Sequence, residues 1–141
     1  MFRVISISPK IEMEQDIYRF EKLVAWQAAK EMTKSVYKLV NTFPSHEQFA
    51  LCNQIRRAAI SVPSNIAEQT GRSSNKEKVH FLEIAYGSLM EVYCQLQIAM
   101  ELGYITQSDL QGIRPIIFKT SKLISGLRKS YHEEESNISK P

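Results

Sequence analysis

Four stretches of this chain repeat apolar residues every three or four positions, and three of them close at Pro44, Gly71 and Gly103. That spacing matches the 3.6-residue turn of an α-helix, so each stretch has one apolar face that must be buried against another. In the first, Ala25, Ala28, Met32, Val36, Leu39 and Phe43 form the stripe, and Pro44 ends it because it has no amide to continue the helical bonding. Ser45 and Gln48 have capping-box spacing and predict that helix two starts there, with Cys52, Ile55, Ala59, Val62 and Ile66 facing inward. Pro63 interrupts that stripe. Its missing amide leaves the Ala59 carbonyl without a helical partner, which predicts a kink near Ser61 to Pro63. Ser74 and Glu77 make a second box that opens helix three, expected to be the longest, with Phe81, Ala85, Leu89, Val92, Leu96 and Ala99 as its core face. Thr106 and Asp109 start helix four in the same way, with Leu110, Ile113, Ile117, Thr120, Ile124 and Leu127 inward.

Successive amphipathic helices joined by short connections predict an all-α fold, an antiparallel up-and-down four-helix bundle with a proline kink in helix two. The bundle is assigned to residues 18–131. Residues 1–17 lack helical periodicity and are read as a flexible N-terminal arm, although the Val4, Ile5 and Ile7 alternation would suit an edge strand; residues 132–141 are read as a flexible polar tail. A chain of 141 residues suits one domain that buries about two thirds of its unfolded surface. Cys52 and Cys94 sit far apart in apolar helical patterns and read as buried reduced thiols. No uncharged apolar run approaches the ~20 residues that span a membrane, and the N-terminal segment lacks the core of a signal peptide, so a cytoplasmic location is expected.

Catalytic and metal motifs are weak. Di-iron bundles place a Glu-x-x-His motif on two helices, and this chain has only Glu77 to His80, where capping accounts for Glu77. His46 and His132 stand near helix ends among charged residues, and Ser73 to Lys76 matches S-x-x-K only where a helix cap overlaps it. With no glycine-rich phosphate loop either, the expectation is a non-enzymatic protein without catalytic residues, metal or cofactor.

Charge placement says more than the net charge of +3. Between Asp109 and Glu133 the chain has Arg114, Lys119, Lys122, Arg128 and Lys129 and no carboxylate. At ~100° per residue these fall within roughly half of the helix circumference, largely opposite the apolar stripe. Arg72, Lys76 and Lys78 bracket the start of helix three, where free amides and the helix dipole favour anions, and Arg56 and Arg57 add charge on helix two. Two readings follow, plain solvation of helix surfaces or contact with a phosphate backbone through Arg57, Arg72, Lys76, Lys78 and the helix-four cations. Aromatic residues are not interleaved with these cations along the sequence, so no stacking platform is expected. Trp26, Tyr37, Ile84 and Ile98 lie off the main stripes and read either as a broad buried face or as a self-association surface.

Gln54 to Arg72, QIRRAAISVPSNIAEQTGR, resembles a segment of the bacterial 23S rRNA intervening-sequence proteins, also called the S23 ribosomal protein family. That family has Q-[IL]-R-R-A-[AS]-x-S-[IV]-x-x-N-I-A-E-G at this place, and Phe81 to Val92 and Glu101 to Ile105 extend the likeness. Gln69 departs from the pattern, which has glycine after the Ala-Glu pair, and implies that helix two continues further before Gly71. The resemblance implies a four-helix bundle similar in fold to the accessory protein of diversity-generating retroelements. It implies a ring-like homopentamer and non-specific RNA or DNA binding, with a protein-interaction scaffold as the alternative. Within the segment, Arg56, Pro63, Asn65 and Glu68 are read as architectural: Asn65 and Glu68 would satisfy carbonyls freed by Pro63 or pair with an arginine.

Overall fold

A computed structural model of the chain describes residues 17–138. Four helices, Val24–Val40 (α1), Leu51–Gln69 (α2), Asn75–Glu101 (α3) and Gln107–Ile138 (α4), follow one another, with 3-10 turns at Arg19–Lys22 and Ser45–Glu47. Each helix packs against its neighbours in sequence, and α1 closes the antiparallel bundle against α4. The described residues contain no strand. The alternation at Val4, Ile5 and Ile7, and residues 139–141 of the expected tail, lie outside the described residues.

The apolar stripes meet in one core, where Met32, Ile55, Ile66, Leu89, Leu96 and Ile124 are fully buried. Phe81 is only half-buried; Leu82 takes the core position beside it. The longest helix is α4, not α3, because α4 runs on to Ile138 through residues read as a polar tail. That stretch is rich in glutamate, which is a good helix former despite its polarity. None of the described helices is long and apolar enough to cross a membrane.

Helix ends follow local chemistry in three cases and a longer-range contact in a fourth. Thr106 and Asp109 cap reciprocally, each backbone amide 3.0 Å from the other's side-chain oxygen. Ser74 Oγ accepts from the Glu77 amide at 3.2 Å. At the end of α3, Gly103 takes φ +81°, and the Gly103 and Tyr104 amides fold back onto the carbonyls of Met100 and Ala99 at 3.0 and 2.9 Å. This is the Schellman arrangement, open to glycine because it has no Cβ. Ser45 and Gln48 behave otherwise. α2 starts at Leu51, and Gln48 Nε2 donates to the Val40 and Phe43 carbonyls at 3.3 and 3.2 Å, satisfying the end of α1 instead of the start of α2.

Pro63 stands inside α2, which runs unbroken from Leu51 to Gln69. The carbonyl it leaves unpaired belongs to fully buried Ala59. Neither Asn65 nor Glu68 reaches that carbonyl: Asn65 Nδ2 donates to the Ser61 carbonyl at 2.8 Å, and Glu68 pairs with Arg72. Thr33 of α1 does the work, its Oγ1 lying 3.1 Å from the Ala59 carbonyl and 2.8 Å from that of Ala29, so that one hydroxyl proton is shared between them. Ala29 sits in an intact helical turn and can accept the amide of Thr33; Ala59 loses the amide that residue 63 would otherwise supply. The approach is possible because Ala25, Ala28, Ala29, Ala58 and Ala59 keep these helices thin where they meet. α2 ends where Gln69 turns its fully buried side chain inward, its amide nitrogen and oxygen without a partner among the described residues.

Replacing Thr33 with valine keeps the shape and removes the donor. Thr33→Val is expected to lower unfolding stability by about 1–3 kcal/mol in urea titration. In a Pro63→Ala background, where residue 63 regains an amide for Ala59, the same change is expected to cost at least ~1 kcal/mol less, and equal losses in both backgrounds would refute the pairing.

Candidate nucleic-acid interface

Arg56 and Arg57 are neighbours in sequence with opposite surroundings. Arg56 turns back onto the α1–α2 connection: its Nη2 lies 2.7 Å from Gln48 Oε1 and its guanidinium packs over the Tyr37 ring at 6.0 Å. It is an architectural residue that holds the connection closed. Arg57 is exposed, with no hydrogen bond or ion pair among the described residues. Arg72 is also committed, paired with Glu68 and stacked 4.4 Å over Phe81. Lys76 is exposed on the first turn of α3, roughly 160° around the helix from Lys78. Arg57, Arg72 and Lys76 therefore do not join the cations of α4.

Lys78 does. Its Nζ lies 5.2 Å from the centre of the Tyr131 ring, across the seam between α3 and α4. Moving along that seam, Arg128 stands over Tyr86 at 5.7 Å, Lys122 over Phe118 at 5.2 Å and Arg114 over Tyr93 at 5.9 Å. Because the helices are antiparallel, three of these pairs join residues distant in sequence, while Lys122 and Phe118 lie one turn apart on α4, and the four form one row of cation and ring. At 1.5 Å per residue, Lys78 to Tyr93 covers about 22 Å. Lys119 is exposed away from these rings, and Lys129 is exposed in a loose pair with Glu133 at 3.9 Å.

The row corrects the expectation that cations and aromatics are separate. Phe118 already stands among the cations of α4, one turn from Lys122, and α3 supplies Tyr86 and Tyr93 to Arg128 and Arg114. Between the helices lies a groove of about 280 Å³, lined by Tyr86, Met90, Tyr93, Phe118, Arg114 and Lys122 among others, with no carboxylate in its lining. Phe118 is 61% exposed, which burial in the core does not explain.

The residues read as a self-association surface divide. Trp26 is half-buried, edge-on to Phe20 at 4.9 Å, in an apolar groove with Ile60, Pro63 and Ala67. Tyr37 supports Arg56, while Ile84 and Ile98 are exposed on α3. Phe49, 92% exposed at the start of α2, escaped the periodicity because it lies in a connection. His80 packs edge-on to Phe81, and among the described residues no three His, Cys, Asp or Glu side chains gather as a metal site would need.

Comparison with known proteins bears on the whole bundle. The profile of the family described as 23S rRNA-intervening sequence protein matches residues 21–126. A solved structure of a protein of unknown function from the S23 ribosomal protein family, from Bacteroides thetaiotaomicron VPI-5482, superposes with a TM-score of 0.69. It is 22% identical and the match covers 75% of this chain and 96% of that one, a likeness of fold. No curated protein matches significantly.

The two adjacent arginines give a test of which cations are architectural. Arg56→Ala is expected to lower stability by about 1–3 kcal/mol, since it strips the partner from Gln48, whereas Arg57→Ala is expected to stay within ~0.5 kcal/mol in thermal or urea unfolding.

Proposed function

We propose that this chain, which belongs to the 23S rRNA-intervening sequence protein family, binds RNA or DNA through the phosphate backbone without sequence preference, as a non-enzymatic homo-oligomer. The observation that carries the reading is the convergence of Lys78, Arg114, Lys122 and Arg128 on the α3–α4 seam, beside a groove without a carboxylate. A run of cations along about 22 Å of surface suits a polyanion, because each phosphate neutralised releases condensed counterions and adds to affinity. Lys119 and Lys129 extend the positive surface of α4 beyond the row. Five copies are the expected assembly, and exposed Ile84 and Ile98 together with the Trp26–Ile60 groove supply apolar surface for contact between copies.

Gel-shift or anisotropy titrations with RNA and DNA duplexes test the binding. Affinity is expected to fall steeply between about 50 and 200 mM salt, and the combined Arg114→Ala, Lys122→Ala and Arg128→Ala variant is expected to reduce the slope of log K against log salt by about 2–3. Absence of binding at low salt overturns the reading. Light scattering tests assembly: a monomer at micromolar concentration contradicts the oligomer, and Ile98→Glu is expected to shift the species toward smaller mass. The same exposed isoleucines favour a second reading, a protein-interaction scaffold with no nucleic-acid role. A partner that co-purifies equally with and without nuclease treatment is its expected signature.

A further inference from the structure

The seam offers more than charge. A duplex presents phosphates outward and keeps its base faces stacked, so cations serve it, and rings beside them act there only as supports for the charge. Yet Tyr86, Tyr93 and Phe118 line the same groove as Arg114 and Lys122, with Met90 between the two tyrosines on α3 and Phe118 largely in solvent. A ring face beside a cation matches an unstacked nucleotide, whose base is a flat π-surface a few bonds from a phosphate.

We infer that the α3–α4 groove takes single-stranded nucleic acid, with a base stacked on Phe118 and further bases on the Tyr86 and Tyr93 side while Arg114, Lys122 and Arg128 meet the phosphates. The inference rests on the nucleic-acid reading above and adds the strandedness of the ligand and the residues that sense it. Stacking is tolerant of sequence, because every base has a π-face, so the groove discriminates single strand from duplex and not one base from another. The absence of a carboxylate from the lining and the row of four cations argue for a continuous polyanion as the occupant.

The experiment is anisotropy with end-labelled oligo(U), oligo(dT) and a mixed-sequence duplex, each about 12 nucleotides long, which lies within the usual site sizes of single-strand binders. Full-length chain is used, with Phe118→Ala, Phe118→Trp and the triple cation variant. Expected results are tighter binding of both single strands than of duplex, a loss of about tenfold for single strands in Phe118→Ala, near-native binding in Phe118→Trp, and unchanged duplex affinity and salt slope in both. Phe118 lies outside the core, so the alanine variant retains the fold. If single strand and duplex bind alike and Phe118→Ala changes nothing while the triple variant weakens both, the groove is overturned and backbone binding stands. If no nucleic acid binds at low salt, both fall. Binding of polyglutamate as tight as that of oligo(U) also overturns the inference, because charge alone would then account for affinity.

Discussion

One shared proton at the α1–α2 contact sets the terms for much of this bundle. Pro63 leaves the Ala59 carbonyl unpaired in the middle of a buried helix face, and an unpaired buried carbonyl is expensive. Thr33 meets it from the neighbouring helix, which demands that the two backbones approach closely. Alanines at the contact make that approach possible, and the paired helices then present Met32, Val36, Ile55, Val62 and Ile66 to α3 and α4. Arg56 reinforces the pair from the other end, tying α2 to the connection that Gln48 has already fastened to α1. The segment from Gln54 to Arg72 thus holds two helices together: Arg56 near its start and the Ala59 carbonyl freed by Pro63 each find their partner outside α2.

Much of this architecture was legible in the sequence, for reasons that differ by residue. Core stripes are periodic, so Cys52, Ile55, Ala59, Val62 and Ile66 declare themselves, and all five are buried. The Thr106–Asp109 cap is legible because both partners lie within one turn. Ser45 and Gln48 carry the same spacing and mislead, since a glutamine amide can choose among acceptors and here donates to the carbonyls of Val40 and Phe43 at the end of α1. Thr33 gave no signal. It is polar, lies next to a stripe residue, and its partner is on another helix. Polar composition hides the end of α4, where residues that favour helix read as a tail.

The seam was illegible for a related reason. A single sequence gives the angular position of each side chain on its own helix, but not the antiparallel register that sets Arg128 beside Tyr86 and Arg114 beside Tyr93. The basic face of α4, and the Lys122–Phe118 pair one turn apart on it, could be read from spacing; that Arg114 and Arg128 would find rings on α3, and that Lys78 would join them from there, could not. Charge seen along the sequence also suggested one broad patch at the start of α3, whereas Arg72 is held by Glu68 and Phe81 and Lys78 turns the other way.

Cations resting on rings differ from cations waving in solvent in what they have already given up. A free lysine or arginine on a helix samples many rotamers, and immobilising each one on association costs about 0.5–1.5 kcal/mol. Along this seam folding itself has narrowed that freedom, because Lys78, Arg114, Lys122 and Arg128 each lean on an aromatic face. The row is preorganised: an anion that meets it encounters charges already spaced, and less of the electrostatic gain is spent on arranging them.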